Sequence, residues 1–136
     1  MKTNDDSKMI GLAQSALEHE AKAILDRKEK IDHTFTRACE QLLNCEGRIV
    51  VTGMGKSGHV GSKIASTLAS TGSPAFFVHP GEAGHGDMGM ITSKDVVLAL
   101  SNSGETDELI TLLPIIKRLG VPLVTMTGNP TSTLSK

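Results

Sequence analysis

The chain has 136 residues, a length that makes one domain the prior, with roughly two thirds of its unfolded surface buried on folding. Apolar residues are 38% and charged residues 21%, and 14 Lys and Arg stand against 15 Asp and Glu, which excludes charge-driven disorder and any broad electrostatic hold on nucleic acid. With 3 Phe and neither Trp nor Tyr, the chain has little with which to stack on bases or sugar faces. Asp5, Asp6, Glu18, Glu20 and Asp26 argue against a signal or transit peptide, and no run approaches about 18 apolar residues, so a cytoplasmic protein with no membrane partner is expected. Cys39 and Cys45 lack a second pair and read as reduced structural thiols.

Residues 8 to 44 hold only Gly11 and no Pro, and Ile10, Ala13, Leu17, Ala21 and Ile24, then Ile31, Phe35, Ala38 and Leu42, recur at helical intervals. Two amphipathic helices meeting near residues 26–30 are expected, with Asp5, Asp6 and Ser7 as N-caps and Gly47 as a left-handed C-cap. From Arg48 onward the texture changes, because 12 of the 14 glycines lie at or after Gly53 and short apolar runs alternate with helix patterns. The runs 49–51, 75–78, 96–100 and 122–126 lack clean alternation, the signature of strands buried on both faces of a parallel sheet. Helices are expected over 60–70 and over 106–119, the second kinked by Pro114, and the glycine-rich stretch 79–93 reads as a loop with one short turn. The expected fold is therefore α/β, a doubly wound parallel sheet, as one domain over 1–136 with a helical arm over 1–46 and a β-α-β core over 47–136. Residues 128–136 read as a loop and the first turn of another helix. A sheet ending there leaves apolar surface for a missing C-terminal part or a partner chain to cover.

Strand one leads into Gly53-Met54-Gly55-Lys56-Ser57-Gly58-His59, which puts a flexible loop and free amides at the carboxyl edge of the sheet, where anions bind in open α/β folds. Gly53, Gly55 and Gly58 satisfy GxGxxG, but His79 follows strand two where a dinucleotide fold wants an acid. A Walker A loop needs glycine where Val50 stands, so a P-loop nucleoside triphosphatase is excluded. Strand three ends in Ser101-Asn102-Ser103-Gly104-Glu105-Thr106-Asp107-Glu108, whose hydroxyls and amides suit a phosphate monoester; ordinary capping by Ser103 or Thr106, with Glu105, Asp107 and Glu108 as first-turn acids, is the alternative. The loop after strand two holds His79, Glu82, His85 and Asp87 in a spacing that matches no zinc signature, so no metal site is assigned. A general acid or base suits this loop better, and His85 leads because histidine titrates nearest neutral pH. His19 and His59 read as helix surface or core residues.

Taken together, segments 51–59, 70–83, 85–90 and 101–106 resemble the SIS (sugar isomerase) domain of bacterial arabinose 5-phosphate isomerases, and the resemblance runs from the N-terminal helices to Lys136. It implies a flavodoxin-like sheet, a homotetramer, no cofactor, and interconversion of D-arabinose 5-phosphate with D-ribulose 5-phosphate for Kdo, lipopolysaccharide or capsule biosynthesis. By the same resemblance Ser101, Ser103 and Thr106 are phosphate ligands, Gly55 and Ser57 line the sugar site, Lys56 is the loop lysine, His85 the loop histidine and Glu108 the acid of the Ser-Gly-Glu loop. The family's pattern continues into another glutamate, a His-Pro-Gly-Gly segment and usually CBS modules, which these 136 residues do not contain. Moving a proton between C1 and C2 through a cis-enediolate needs a base, a cation at the oxygens and a grip on the remote phosphate. His85 or Glu108, then Lys56, then Ser101, Ser103 and Thr106 supply that set. The alternative expectation is a catalytically weak sugar-phosphate-binding or regulatory module.

Overall fold

The computed structural model describes residues 2–84 and 86–136, and the side chains of all of these except 2–4 and 87. The chain divides into two compact units, one ending at Arg37 and the other running from Ala38 to Lys136, so the globular unit begins inside the expected helical arm rather than at residue 47.

In the first unit, α1 (Lys2–Leu25) already runs through Asp5, Asp6 and Ser7, which are therefore helical residues and not caps. A 3-10 turn follows at Lys28–Lys30, and α2 (His33–Leu43) starts behind Asp32. Asp32 is the cap the sequence reading passed over. Its carboxylate accepts the side-chain hydroxyl of Thr34 at 2.6 Å and the Thr34 N–H at 2.8 Å, and these bonds hold its carboxyl below the usual range.

The second unit is built on four parallel strands, β1 (Ile49–Gly53), β2 (Ala75–Val78), β3 (Val96–Ser101) and β4 (Leu123–Thr127), in the order β2-β1-β3-β4. That order reverses direction between β1 and β3, the switch point of a doubly wound fold. Every residue of β1 and β3 is buried, whereas most of β2 and β4 is only half buried, so burial on both faces holds for the central strands and not for the edges. Alternate residues serve two apolar layers. Val50, Val97 and Ala99 pack with Leu109, Leu112 and Ile116, while Ile49, Val51, Leu98 and Leu100 pack with Ala65 and the half-buried Leu42, Ile64 and Leu68. Each fully buried aliphatic side chain contributes roughly 1.5–3 kcal/mol.

The connections differ from expectation in detail. Helix α3 spans Gly55–Ser70, so the glycine segment after β1 is a tight turn and a first helical turn instead of a flexible loop. Between β2 and β3 stand two short turns, α4 (Pro80–Ala83) and a 3-10 turn at Asp87–Met90. Pro114 does more than kink the next helix. Without an N–H it leaves the chain as two pieces, α5 (Asp107–Ile110) and α6 (Leu113–Leu119). Gly47 is absent from the positive-φ glycines and is no left-handed cap. It is glycine because a Cβ there would strike the Asp95 carboxylate and sit 2.8 Å from the Lys94 carbonyl oxygen.

Asp95 ties the amino ends of the two central strands together. It is 2% exposed and accepts the N–H groups of Arg48 and Thr92, each at 2.7 Å, with the Arg48 guanidinium 3.9 Å away. Burial pushes its carboxyl up, but the bonds from Thr92 and Arg48 outweigh it and hold the carboxyl below its ordinary value of 3.8. The stabilisation is complete above that value and fades as pH falls below it through the lower folded value. Asp95→Ala should cost about 2–4 kcal/mol in urea unfolding, because two partly buried N–H groups lose their acceptor. Asp95→Asn should remove this part of the acid limb of a stability-versus-pH curve.

Candidate active site

The carboxyl ends of parallel strands share one edge, so the segments leaving β1, β3 and β4 meet there. Lys56 and Ser57 lie in the first turn of α3, where the backbone N–H groups lack intrahelical partners; the first bond back is from Gly58 N–H to the Met54 carbonyl at 3.1 Å. Gly58 allows this tight entry, since a Cβ would stand 2.6 Å from the Gly53 carbonyl oxygen. Facing Lys56 and Ser57 across an open cleft of about 350 Å³ are Ser101 and Asn102 from the end of β3, with Thr127 and Gly128 from the end of β4. Val60, Leu100 and Met126 form its apolar wall.

The segment after β3 turns back on itself. Ser101, 3% exposed, accepts the Gly104 N–H at 3.0 Å and places its hydroxyl 2.7 Å from that of Thr106 and 3.4 Å from that of Ser103. Ser103 in turn accepts the Glu105 N–H at 3.2 Å. Three hydroxyls thus gather at one point, and the close Ser101–Thr106 pair consumes only one of their hydrogens. Thr106 stands just before α5 but its side chain makes no capping bond. Glu105 is not a first-turn acid: its carboxylate accepts the Thr133 N–H at 2.7 Å, a bond that holds its carboxyl below the usual range.

Lys56, Ser57 and Ser101 line the cleft, and Ser103 and Thr106 join it through Ser101. Gly55 sits at the first position of α3 with φ 54° and does not line the cleft. Glu108 is exposed on α5 and also lies off the cleft lining. His85 lies outside the described residues. Among the described residues no group of three or more His, Cys, Asp or Glu stands together to hold a metal ion. Asn102, Thr127 and Gly128 were missed by sequence reasoning. The signal for them was topological, because the loop leaving strand four must flank the loop leaving strand three.

The parallel sheet, with a lysine, a helix start and a hydroxyl cluster at its switch point, defines an α/β domain that gathers a cation and hydrogen-bond donors at its carboxyl edge. The SIS domain pattern matches residues 42–136, and the chain belongs to the SIS family. It is 60% identical over 136 residues to the arabinose 5-phosphate isomerase KdsD of Pseudomonas aeruginosa, covering 100% of this chain and 42% of that protein. To the KdsD of Escherichia coli K12 it is 53% identical over 131 residues, 96% of this chain and 39% of that protein. A solved structure from Escherichia coli CFT073 in complex with arabinose 5-phosphate superposes with a TM-score of 0.90 at 40% identity, covering 95% of this chain and 69% of that one. The chain thus spans about two fifths of the length of these curated relatives. The resemblance read from the loop segments is borne out by these matches.

Gly104 has φ 68°, and a Cβ on it would run into Ser132 and come within 2.8 Å of the Thr127 hydroxyl. Gly104→Ala should lower stability by about 2 kcal/mol or more in urea unfolding, from left-handed strain plus displacement of the loop.

Proposed function

We propose that this chain forms the sugar-phosphate site of an aldose-ketose isomerase that interconverts D-arabinose 5-phosphate and D-ribulose 5-phosphate. The observation that carries the reading is the gathering of Ser101, Ser103 and Thr106 hydroxyls beside a cleft that Lys56 and Ser57 also line. The names of the relatives and the solved arabinose 5-phosphate complex support it. Hydroxyl and amide donors hold the phosphate, fixing the far end of the substrate so that C1 and C2 are presented to the α3 end of the cleft. Lys56 offsets the negative charge that develops on the enediolate oxygens, and Ser57 borders the sugar, while Gly55 shapes the turn that places them. His85 or Glu108 takes the C2 proton and returns it to C1 while the O2 hydroxyl proton passes to O1, a redistribution within the substrate that needs neither an external oxidant nor a cofactor.

The reading carries with it a cytoplasmic homotetramer working towards Kdo, lipopolysaccharide or capsule. Association is supported by α1, where Met9, Ile10, Leu12, Leu17 and Ile24 are between 58% and 71% exposed. Among the described residues no helix is long and apolar enough to cross a membrane. The second reading, a weakly catalytic sugar-phosphate-binding module, is favoured by one observation: Glu108 lies off the cleft lining.

Two outcomes separate these readings. In heavy water, turnover should place deuterium at C1 of ribulose 5-phosphate, because the enediolate waits between proton removal and return. No deuterium and no ribulose 5-phosphate, even at high protein concentration, would establish the binding-module reading instead. Lys56→Ala and His85→Ala should each lower turnover about a hundredfold or more, as expected for an oxyanion stabiliser and an acid-base group. Ser103→Ala should weaken phosphorylated sugars by about 1–2 kcal/mol in calorimetry and leave folding intact.

A further inference from the structure

Bonds within the loop, from the Gly104 N–H to Ser101 and from the Glu105 N–H to Ser103, give the hydroxyl cluster part of its shape. Three further groups of the loop are held by residues beyond β4. The Asn102 carbonyl accepts the Gly128 N–H at 3.1 Å, the Gly104 carbonyl accepts the Leu134 N–H at 3.1 Å, and the Glu105 carboxylate accepts the Thr133 N–H at 2.7 Å. Of these only the last runs through a side chain, and it joins positions 28 residues apart in sequence. Ser132, 1% exposed, fills the space that a side chain on Gly104 would take, so the two segments are in direct contact at the middle of the loop. Glu105 itself is exposed, and its carboxylate is engaged by the Thr133 N–H.

We propose that Glu105 is a positioning residue for anion binding, a carboxylate latch that fastens the Ser101–Thr106 hydroxyl loop to the Thr133 backbone and so keeps the donors converged. The inference rests on the sugar-phosphate reading of the cleft and deepens it. The Ser103 hydroxyl accepts the N–H of Glu105, so releasing the Glu105 side chain frees the backbone that orients Ser103. Loosening a donor array raises the ordering cost of binding without removing any ligand contact.

The bond can be broken from either end. Glu105→Ala removes the acceptor, and Glu105→Gln keeps a carbonyl oxygen that can accept the same N–H. Thr133→Pro removes the donor at a position suited to proline, because Thr133 opens a 3-10 turn and Ser132 before it has φ −68° and ψ 163°. Calorimetric titration of the full chain with inorganic phosphate should show Glu105→Ala and Thr133→Pro each about fivefold weaker, the net worth of one hydrogen bond. The double variant should be no weaker than either single one, since both changes delete one interaction. Glu105→Gln should lie within about twofold of the unsubstituted protein, as the rescue expected when the acceptor matters more than the charge. Unchanged affinity in Glu105→Ala and Thr133→Pro, or losses that add in the double variant, overturns the latch and leaves the sugar-phosphate reading standing. Absence of phosphate binding by the unsubstituted protein overturns that reading and Glu105's part in it together.

Discussion

The parallel pairing of β1 with β3 is the constraint on which the rest of the second unit depends. Ile49 to Gly53 pair in register with Val96 to Leu100, and every one of these residues is buried. Buried backbone groups must find partners in the ladder, and buried side chains must be apolar on both faces, so little polar chemistry fits along these strands. Thr52 is the exception that shows the cost. Among the described residues its buried hydroxyl has no hydrogen-bond partner. Polar function is therefore displaced to the strand ends: Asp95 and Arg48 at the amino end, where they join the strands, and Ser101 at the carboxyl end, where a ligand can reach.

Because β1 and β3 lie side by side while their connections leave in opposite directions, the segments after them open a crevice between them. One wall is the start of α3, whose free N–H groups and Lys56 bring positive character. The other is a reverse-turned loop whose hydroxyls can each rotate to donate. Neither wall alone would suit the proposed sugar phosphate. Their combination joins a cation at one end of the cleft to a cluster of neutral donors at the other, which fits a substrate that is anionic at one end and becomes anionic at the other during reaction.

Much of this was legible in sequence for definite reasons. The strands were visible because their apolar runs are short, β-branched and bounded by turn residues, and the hydroxyl cluster because Ser101, Ser103 and Thr106 fall within six residues after such a run. The start of α3 was misplaced because Gly55 and Gly58 weigh against a helix locally, whereas close packing against Gly53 requires them there. Gly47 was misread because a helix end followed by glycine looks the same in sequence whether φ or space demands the glycine. Glu105 figured only in the capping alternative, as a first-turn acid, because its partner, Thr133, is remote in sequence. Such bonds carry no periodicity and no local spacing, so only the fold exposes them.

The central claim is that the phosphate of a pentose phosphate sits on the hydroxyl cluster while its reacting carbons lie toward Lys56. A crystal structure of the chain with arabinose 5-phosphate tests this most directly. The account predicts phosphate oxygens within hydrogen-bonding distance of the Ser101, Ser103 and Thr106 hydroxyls, with the C1 and C2 oxygens toward Lys56 and Ser57. A phosphate bound away from residues 101–106, or a sugar seated in the reverse orientation with its phosphate on Lys56, would contradict it.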